Sequence, residues 1–142
     1  MEITKRLSGR VMLCWARHGG IAQFHRPSGA LGHVAGWVMG RRRSNVARSR
    51  WAVRLLDVGP AERVIELGCG PGVGLAALAE RAARGSVVGV DHSSVMIGQA
   101  RRRNRAAVRA GRVRLLHAPV QDLAPGDGPL GPGDGPFDAA LA

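Results

Sequence analysis

The second half of the chain alternates between two hydrophobic rhythms. Short apolar blocks at 63–67 (RVIEL), 86–90 (SVVGV) and 113–117 (VRLLH) predict strands, and 137–141 opens a fourth. Between them lie stretches with helical spacing. Residues 75–83 are Ala-rich and helical. Ser93 is a natural N-cap for a helix running to about Ala110, where Gly111 stops it. Strands separated by helices of this length predict an α/β fold with a parallel sheet built from βαβ units.

Upstream, Leu31, Val34, Ala35 and Val38 mark a helix from Ser28, with Arg41, Arg42 and Arg43 near its C-terminus, where cations suit the helix dipole. A second helix is expected from about Asn45 to Leu56. It carries Trp51, Leu55 and Val58 on one side and most of its arginines on the other, and Gly59-Pro60 ends it. Residues 1–26 show little periodicity and predict no element. The expected organisation is a poorly defined segment at 1–26, a helical lead-in or lid at 27–59, and an α/β unit at 60–142.

Composition narrows this picture. The 142 residues are 45% hydrophobic but only 4% aromatic, so the core must be aliphatic. Cys14 and Cys69 lie too far apart for a CxxC pair, and the five His are scattered, so no metal site is predicted. No apolar run approaches a membrane span, and the apolar run at 11–16 is too short for a signal peptide. A cytoplasmic protein is expected.

The net charge of +11 is uneven, because residues 1–60 hold eleven Lys/Arg against Glu2 and Asp57 alone. Nucleic acid is one partner that such charge would suit. However, Arg101, Arg102, Arg103 and Arg105 fall around a helix rather than along one face, and Tyr is absent for base stacking. That favours a solvated surface with an Arg-rich composition. The duplicated PGDGP at 125–129 and 132–136 reads as a flexible loop. Its Asp127 and Asp134 fall well short of a calcium ligand set.

The chemistry is concentrated in Glu66-Leu67-Gly68-Cys69-Gly70-Pro71-Gly72-Val73-Gly74. A strand runs into a loop with glycine at every second position, and a helix follows. Such a loop turns sharply and lets a ligand reach the backbone beside a helix N-terminus. A phosphate loop would need Gly-Lys-Ser/Thr, and no Lys is present; the dinucleotide pattern would need glycine at position 73, where Val73 stands. Asp91, just past the second strand, lies where a doubly wound sheet places a carboxylate for ribose hydroxyls. Alone it could as well serve as a turn acid before Ser93, but the glycine loop upstream at the right distance favours the ribose.

Glu66-x-Gly68-x-Gly70-x-Gly72, followed by Asp91-x-Ser93-x-x-Met96-x-x-x-Ala100, resembles the Rossmann-like S-adenosylmethionine-dependent methyltransferases. The likeness is closest to the small-molecule group of ubiquinone/menaquinone type, and residues 24–51 resemble the helical lead-in of its members. The resemblance implies a doubly wound, mostly parallel sheet, S-adenosyl-L-methionine as cofactor and a small-molecule acceptor. By that likeness Gly68, Cys69, Gly70 and Gly72 would line the methionine part and adenosine of the cofactor. Glu66 would sit near its ammonium, Asp91 would hold the ribose hydroxyls, and His92 and Met96 would flank the adenine. The alternative for Met96 is to fill core.

The likeness implies no catalytic side chain; His18, His25 and His33 are merely nearby titratable groups. Where such enzymes often carry Gly-Asp-Ala, this chain has Ala118-Pro119-Val120, with Asp122 a nearby alternative. The family's sheet has seven strands, so the chain is expected to stop inside its fourth. That strand would be an exposed apolar edge, and poor solubility would follow.

Overall fold

The structure is a computed structural model, and it describes residues 10–12, 34, 37, 38, 43–123, 129–131 and 134–142. The elements are β1 (Arg10–Met12), α1 (Arg43–Leu56), β2 (Arg63–Leu67), α2 (Val73–Arg81), β3 (Ser86–Asp91), α3 (Ser94–Arg103), α4 (Arg105–Arg109), β4 (Val113–His117) and β5 (Ala139–Leu141). A 3₁₀ turn at Val120–Asp122 follows β4.

The sheet has the order β1-β5-β2-β3-β4, and every described pairing is parallel. The connections from β1 to β2, β3 and β4 all advance the same way across the sheet. Right-handed crossovers therefore put α1, α2, α3 and α4 on one face. The step from β4 back to β5 reverses direction, and Ala118, Leu123 and Phe137 of that connection lie on the opposite face.

Two aliphatic cores follow from the period-2 alternation of the strands. On the helical face Val64, Val87, Val113, Ala139 and Leu141 pack against Ala52, Val53 and Leu56 of α1, Leu75 and Leu78 of α2, and Ile97 and Ala100 of α3. On the other face Ile65, Val88, Val90, Leu116 and Ala140 are covered by Ala118, Leu123 and Phe137, with Leu67 and Leu130 partly buried beside them. The Gly/Pro-rich connection therefore does more than span a gap, since its apolar residues close the second face.

Several expectations change. β5 is an interior strand and not an edge: β1 pairs with it through Arg10↔Ala139, Val11↔Ala140 and Met12↔Leu141, and its three residues are buried. Segment 1–26, expected to hold no element, thus contributes a strand; a three-residue strand is too short to register as periodicity. The helix expected from Ser28 lies mostly outside the described residues, although Val34, Trp37 and Val38 are helical. The helix from Ser93 is broken at Asn104 into α3 and α4.

α1 buries Ala52, Val53 and Leu56, while Trp51 and Leu55 are more than half exposed. The expected stripe fails because Val58 is not helical. The helix ends at Leu56, and Asp57 turns the chain with a φ of 51°. Val58 is buried on its own account.

Candidate functional site

The alternation that builds the cores also places the acids. Val64 faces the helices, so Glu66 faces them too, and in β3 Val87 and Asp91 share that face. Glu66 pairs in register with Gly89, two residues before Asp91. Both carboxylates therefore lie at the C-terminal ends of adjacent central strands, beside the loop that leads into α2. In open α/β sheets this crevice, where strand order reverses on either side of β2, is where ligands bind.

The loop is held by backbone and side chain together. Gly68 and Cys69 donate their N–H groups to the Val90 carbonyl at 2.8 and 2.9 Å. Gly70 N–H donates to Asp91 Oδ2 at 2.9 Å, and Ser93 N–H donates to Asp91 Oδ1 at 2.8 Å. Asp91 thus acts as a turn acid and as a tie to the glycine loop at once. Each carboxylate oxygen has a second lone pair left for another donor. Ser93 caps α3 by accepting from Met96 N–H.

The loop glycines serve different purposes. Gly68 and Gly70 have φ of 71° and 51°, and a Cβ on either would enter open space, so their open side can admit a ligand. Gly72, at φ 77°, is turned toward α3, where a Cβ would lie 2.6 Å from Asn104 Nδ2 and 2.9 Å from Ala100 Cα. A Cβ on Gly74 would strike Glu66 Oε1. These last two glycines admit neighbouring protein.

Glu66 is 8% exposed, and its Oε2 is buried without a hydrogen-bond partner. Burial, reinforced by the Asp91 carboxylate, pushes its pKa from 4.5 up to about 8, against a smaller lowering by the Leu75 backbone N–H. Glu66 is therefore mostly protonated at neutral pH unless a positive charge arrives. Burial, with Glu66 and Asp91 close by, also raises the Cys69 thiol far above its usual range, so it stays a neutral thiol.

The remaining expected residues scatter around this centre. Met96 is 3% exposed in the first turn of α3. His92 is exposed, with Nδ1 3.8 Å from Asp91 Oδ1, and its carbonyl meets His117 Nε2 at 3.0 Å. Ala118 N–H donates to the Asp91 carbonyl at 3.1 Å, which brings the 118–120 segment beside the site, whereas Asp122 is exposed in the 3₁₀ turn. Asp134 is engaged by Arg114 and Gly131 N–H, and Asp127 lies outside the described residues. Among the described residues no cluster of three or more His, Cys, Asp or Glu could hold a metal. His18, His25 and His33 lie outside the described residues, as does Cys14.

Two residues that pattern reading passed over touch the loop. Arg103 Nε donates to the Pro71 carbonyl at 3.1 Å, and Asn104 Nδ2 donates to the Gly72 carbonyl at 3.0 Å. The available signal was an Asn inside a predicted helix, four residues after Ala100.

Residues 64–142 match the family model described as a methyltransferase domain. The chain belongs to this methyltransferase domain family. The matched span runs from β2 to β5 and includes Glu66, the glycine loop and Asp91. A protein of Methanococcus maripaludis described as an S-adenosyl-L-methionine-dependent methyltransferase shares the fold of this methyltransferase domain, with a TM-score of 0.52, 21% identity, and coverage of 64% of this chain and 43% of that one.

A SAM-dependent methyltransferase from Thiobacillus denitrificans, solved with S-adenosyl-L-homocysteine, is 30% identical. The match covers 56% of this chain and 30% of that one at a TM-score of 0.41. An uncharacterized 37.1 kDa protein in transposon Tn4556 of Streptomyces fradiae is 46% identical over 63 residues, which are 42% of this chain and 18% of the relative. The chain thus spans under half the length of each. No described helix of the methyltransferase domain is long and apolar enough to cross a membrane.

Proposed function

We propose that this chain binds S-adenosyl-L-methionine at the crevice formed by the glycine loop, Glu66 and Asp91, and that it serves methyl transfer to a small-molecule acceptor. The observation that carries the reading is the buried, unpartnered Glu66 Oε2 beside a loop whose two glycines leave their outer side open. An orphaned carboxylate oxygen is costly to bury, and a cationic donor such as an amino acid ammonium would satisfy it. The spare lone pairs of Asp91 suit the vicinal hydroxyls of a ribose. These residues fit the cofactor. Gly68, Cys69 and Gly70 would line it, with Gly72 shaping the loop from behind, and His92 and Met96 would flank the adenine.

Bound there, the cofactor supplies a methyl group on a sulfonium, an electrophile needing no covalent help from the protein. The residues of the chain bind and orient. Glu66 would release its proton to solvent on meeting the ammonium, and Asp91 would fix the ribose while holding Gly70 N–H. The small-molecule acceptor, of the kind used by the ubiquinone/menaquinone-type group, rests on the sequence resemblance.

Titration of S-adenosylhomocysteine into the protein, with Asp91→Ala beside it, tests the cofactor site. Saturable binding by the native chain, weakened at least about tenfold in the variant, is expected. Equal binding by both would remove Asp91 from the site.

A further inference from the structure

The cofactor loop is gripped from behind by the end of α3. Two successive loop carbonyls, Pro71 O and Gly72 O, receive donors from two successive residues, Arg103 Nε at 3.1 Å and Asn104 Nδ2 at 3.0 Å. Arg103 is exposed, whereas Asn104 is 5% exposed and, with Glu66, Asp91 and Ser93, is a buried polar residue among those described. The Asn104 amide also donates to Ala100 O at 3.0 Å, so its nitrogen bridges α3 to the loop.

This bridge requires two local departures from the pattern. Helix α3 gives way to α4 at Asn104, whose φ of −100° and ψ of 21° leave the α region. Gly72 is left-handed and must lack a Cβ, because one would meet the Asn104 amide and Ala100. Buried polar groups that bridge elements fix geometry more than they add stability.

We infer that Asn104 is a positioning residue for the cofactor loop. It turns the Gly72 carbonyl toward α3 and so fixes the peptide planes between Gly70 and Val73. The open side of Gly68 and Gly70 is thereby shaped before any ligand arrives. This rests on the cofactor reading above. Asn104 is not placed against the ligand. It acts through Gly72, which already accepts the helical N–H of Ala76 at 3.3 Å and so keeps one partner when the amide is lost.

The test compares Asn104→Ala and the isosteric Asn104→Asp with the native chain and with Val113→Ala, a core change on β4 away from the loop. Two quantities are read: amide hydrogen exchange at residues 70–74, and S-adenosylhomocysteine affinity at a temperature where every variant is folded. Both Asn104 variants are expected to speed exchange in the loop while β2 and β3 keep their protection, and to weaken binding about tenfold, the scale of one lost hydrogen bond. Val113→Ala is expected to bind as the native chain does.

Unchanged loop exchange in the Asn104 variants would overturn the positioning role. So would faster exchange with native affinity, or native behaviour of Asn104→Asp, which would make shape and not the donor responsible. Equal weakening by Val113→Ala would reduce the effect to general stability. A native chain that binds nothing would sink the cofactor reading and this role with it, and the native titration alone reveals that case.

Discussion

Glu66 is an acid that the fold keeps protonated at neutral pH, and an arriving cation would favour its carboxylate form. Its pKa near 8 in the folded chain, against 4.5 as an ordinary carboxyl, has a signed consequence. Below pH 4.5 the group is protonated folded or unfolded and takes nothing from stability. As pH rises from 4.5 to 8 the folded state holds a proton that the unfolded state has released, so stability falls by up to about 1.4 kcal/mol per pH unit. Glu66→Gln is expected to flatten this slope and to exceed the native chain in stability at pH 8, read from urea unfolding at pH 5, 6.5 and 8. The same proton couples to binding. At pH 7 the native chain is expected to release close to one proton on taking up S-adenosylhomocysteine, seen as a dependence of calorimetric enthalpy on buffer. Glu66→Gln should release none, and an identical release by that variant would locate the proton elsewhere.

At the level of elements, α1 shows how packing chooses among faces that a helical period cannot rank. Trp51 and Leu55 form one i,i+4 stripe, and Ala52 and Leu56, with Val53 alongside, form another. The second is buried because Ala52 is small and lets the helix approach closely, while Trp51 is left more than half exposed. Val53, 1% exposed, is expected to cost about 2 kcal/mol as Val53→Ala, since its methyl groups leave a cavity against α2 and the sheet. Trp51→Ala should stay within about 0.5 kcal/mol despite removing far more side chain. Denaturant midpoints of the two variants decide the matter, and a larger loss at Trp51 would mean that the face was misassigned. The α3–α4 break follows the same logic: the Asn104 amide has two carbonyl partners that a continuous helix would not bring together.

The whole molecule is arranged by handedness. Right-handed crossovers stack α1, α2, α3 and α4 on one face of the sheet, and the reversal after β4 leaves the Gly/Pro-rich connection to close the other with Leu123 and Phe137. The reversal also creates the crevice beside β2 in which Glu66, the glycine loop and Asp91 meet. β1 lies at the sheet edge and covers the apolar β5. Deleting residues 1–12 is expected to leave the helices folded but to expose β5 and promote self-association, measured by light scattering against the full chain. A deleted chain that remains monomeric would mean that β1 is dispensable as an edge cover.

The sequence by itself determined the strand–loop–helix run at 63–81, the second and third strands, and the acids at the strand ends. Each of these depends on local periodicity, glycine chemistry or capping, which a short window contains. It also carried the resemblance to methyltransferases, and the match over residues 64–142 shows the methyltransferase domain. Only the tertiary structure decided that Gly72 and Gly74 make room for Asn104 and Glu66, that α1 turns Trp51 outward, and that three residues near the N-terminus pair with β5. These depend on contacts in space at separations from 8 positions for Glu66 and Gly74 to 129 for Arg10 and Ala139, and hydrophobic spacing along the chain holds no record of which face will arrive to fill a space.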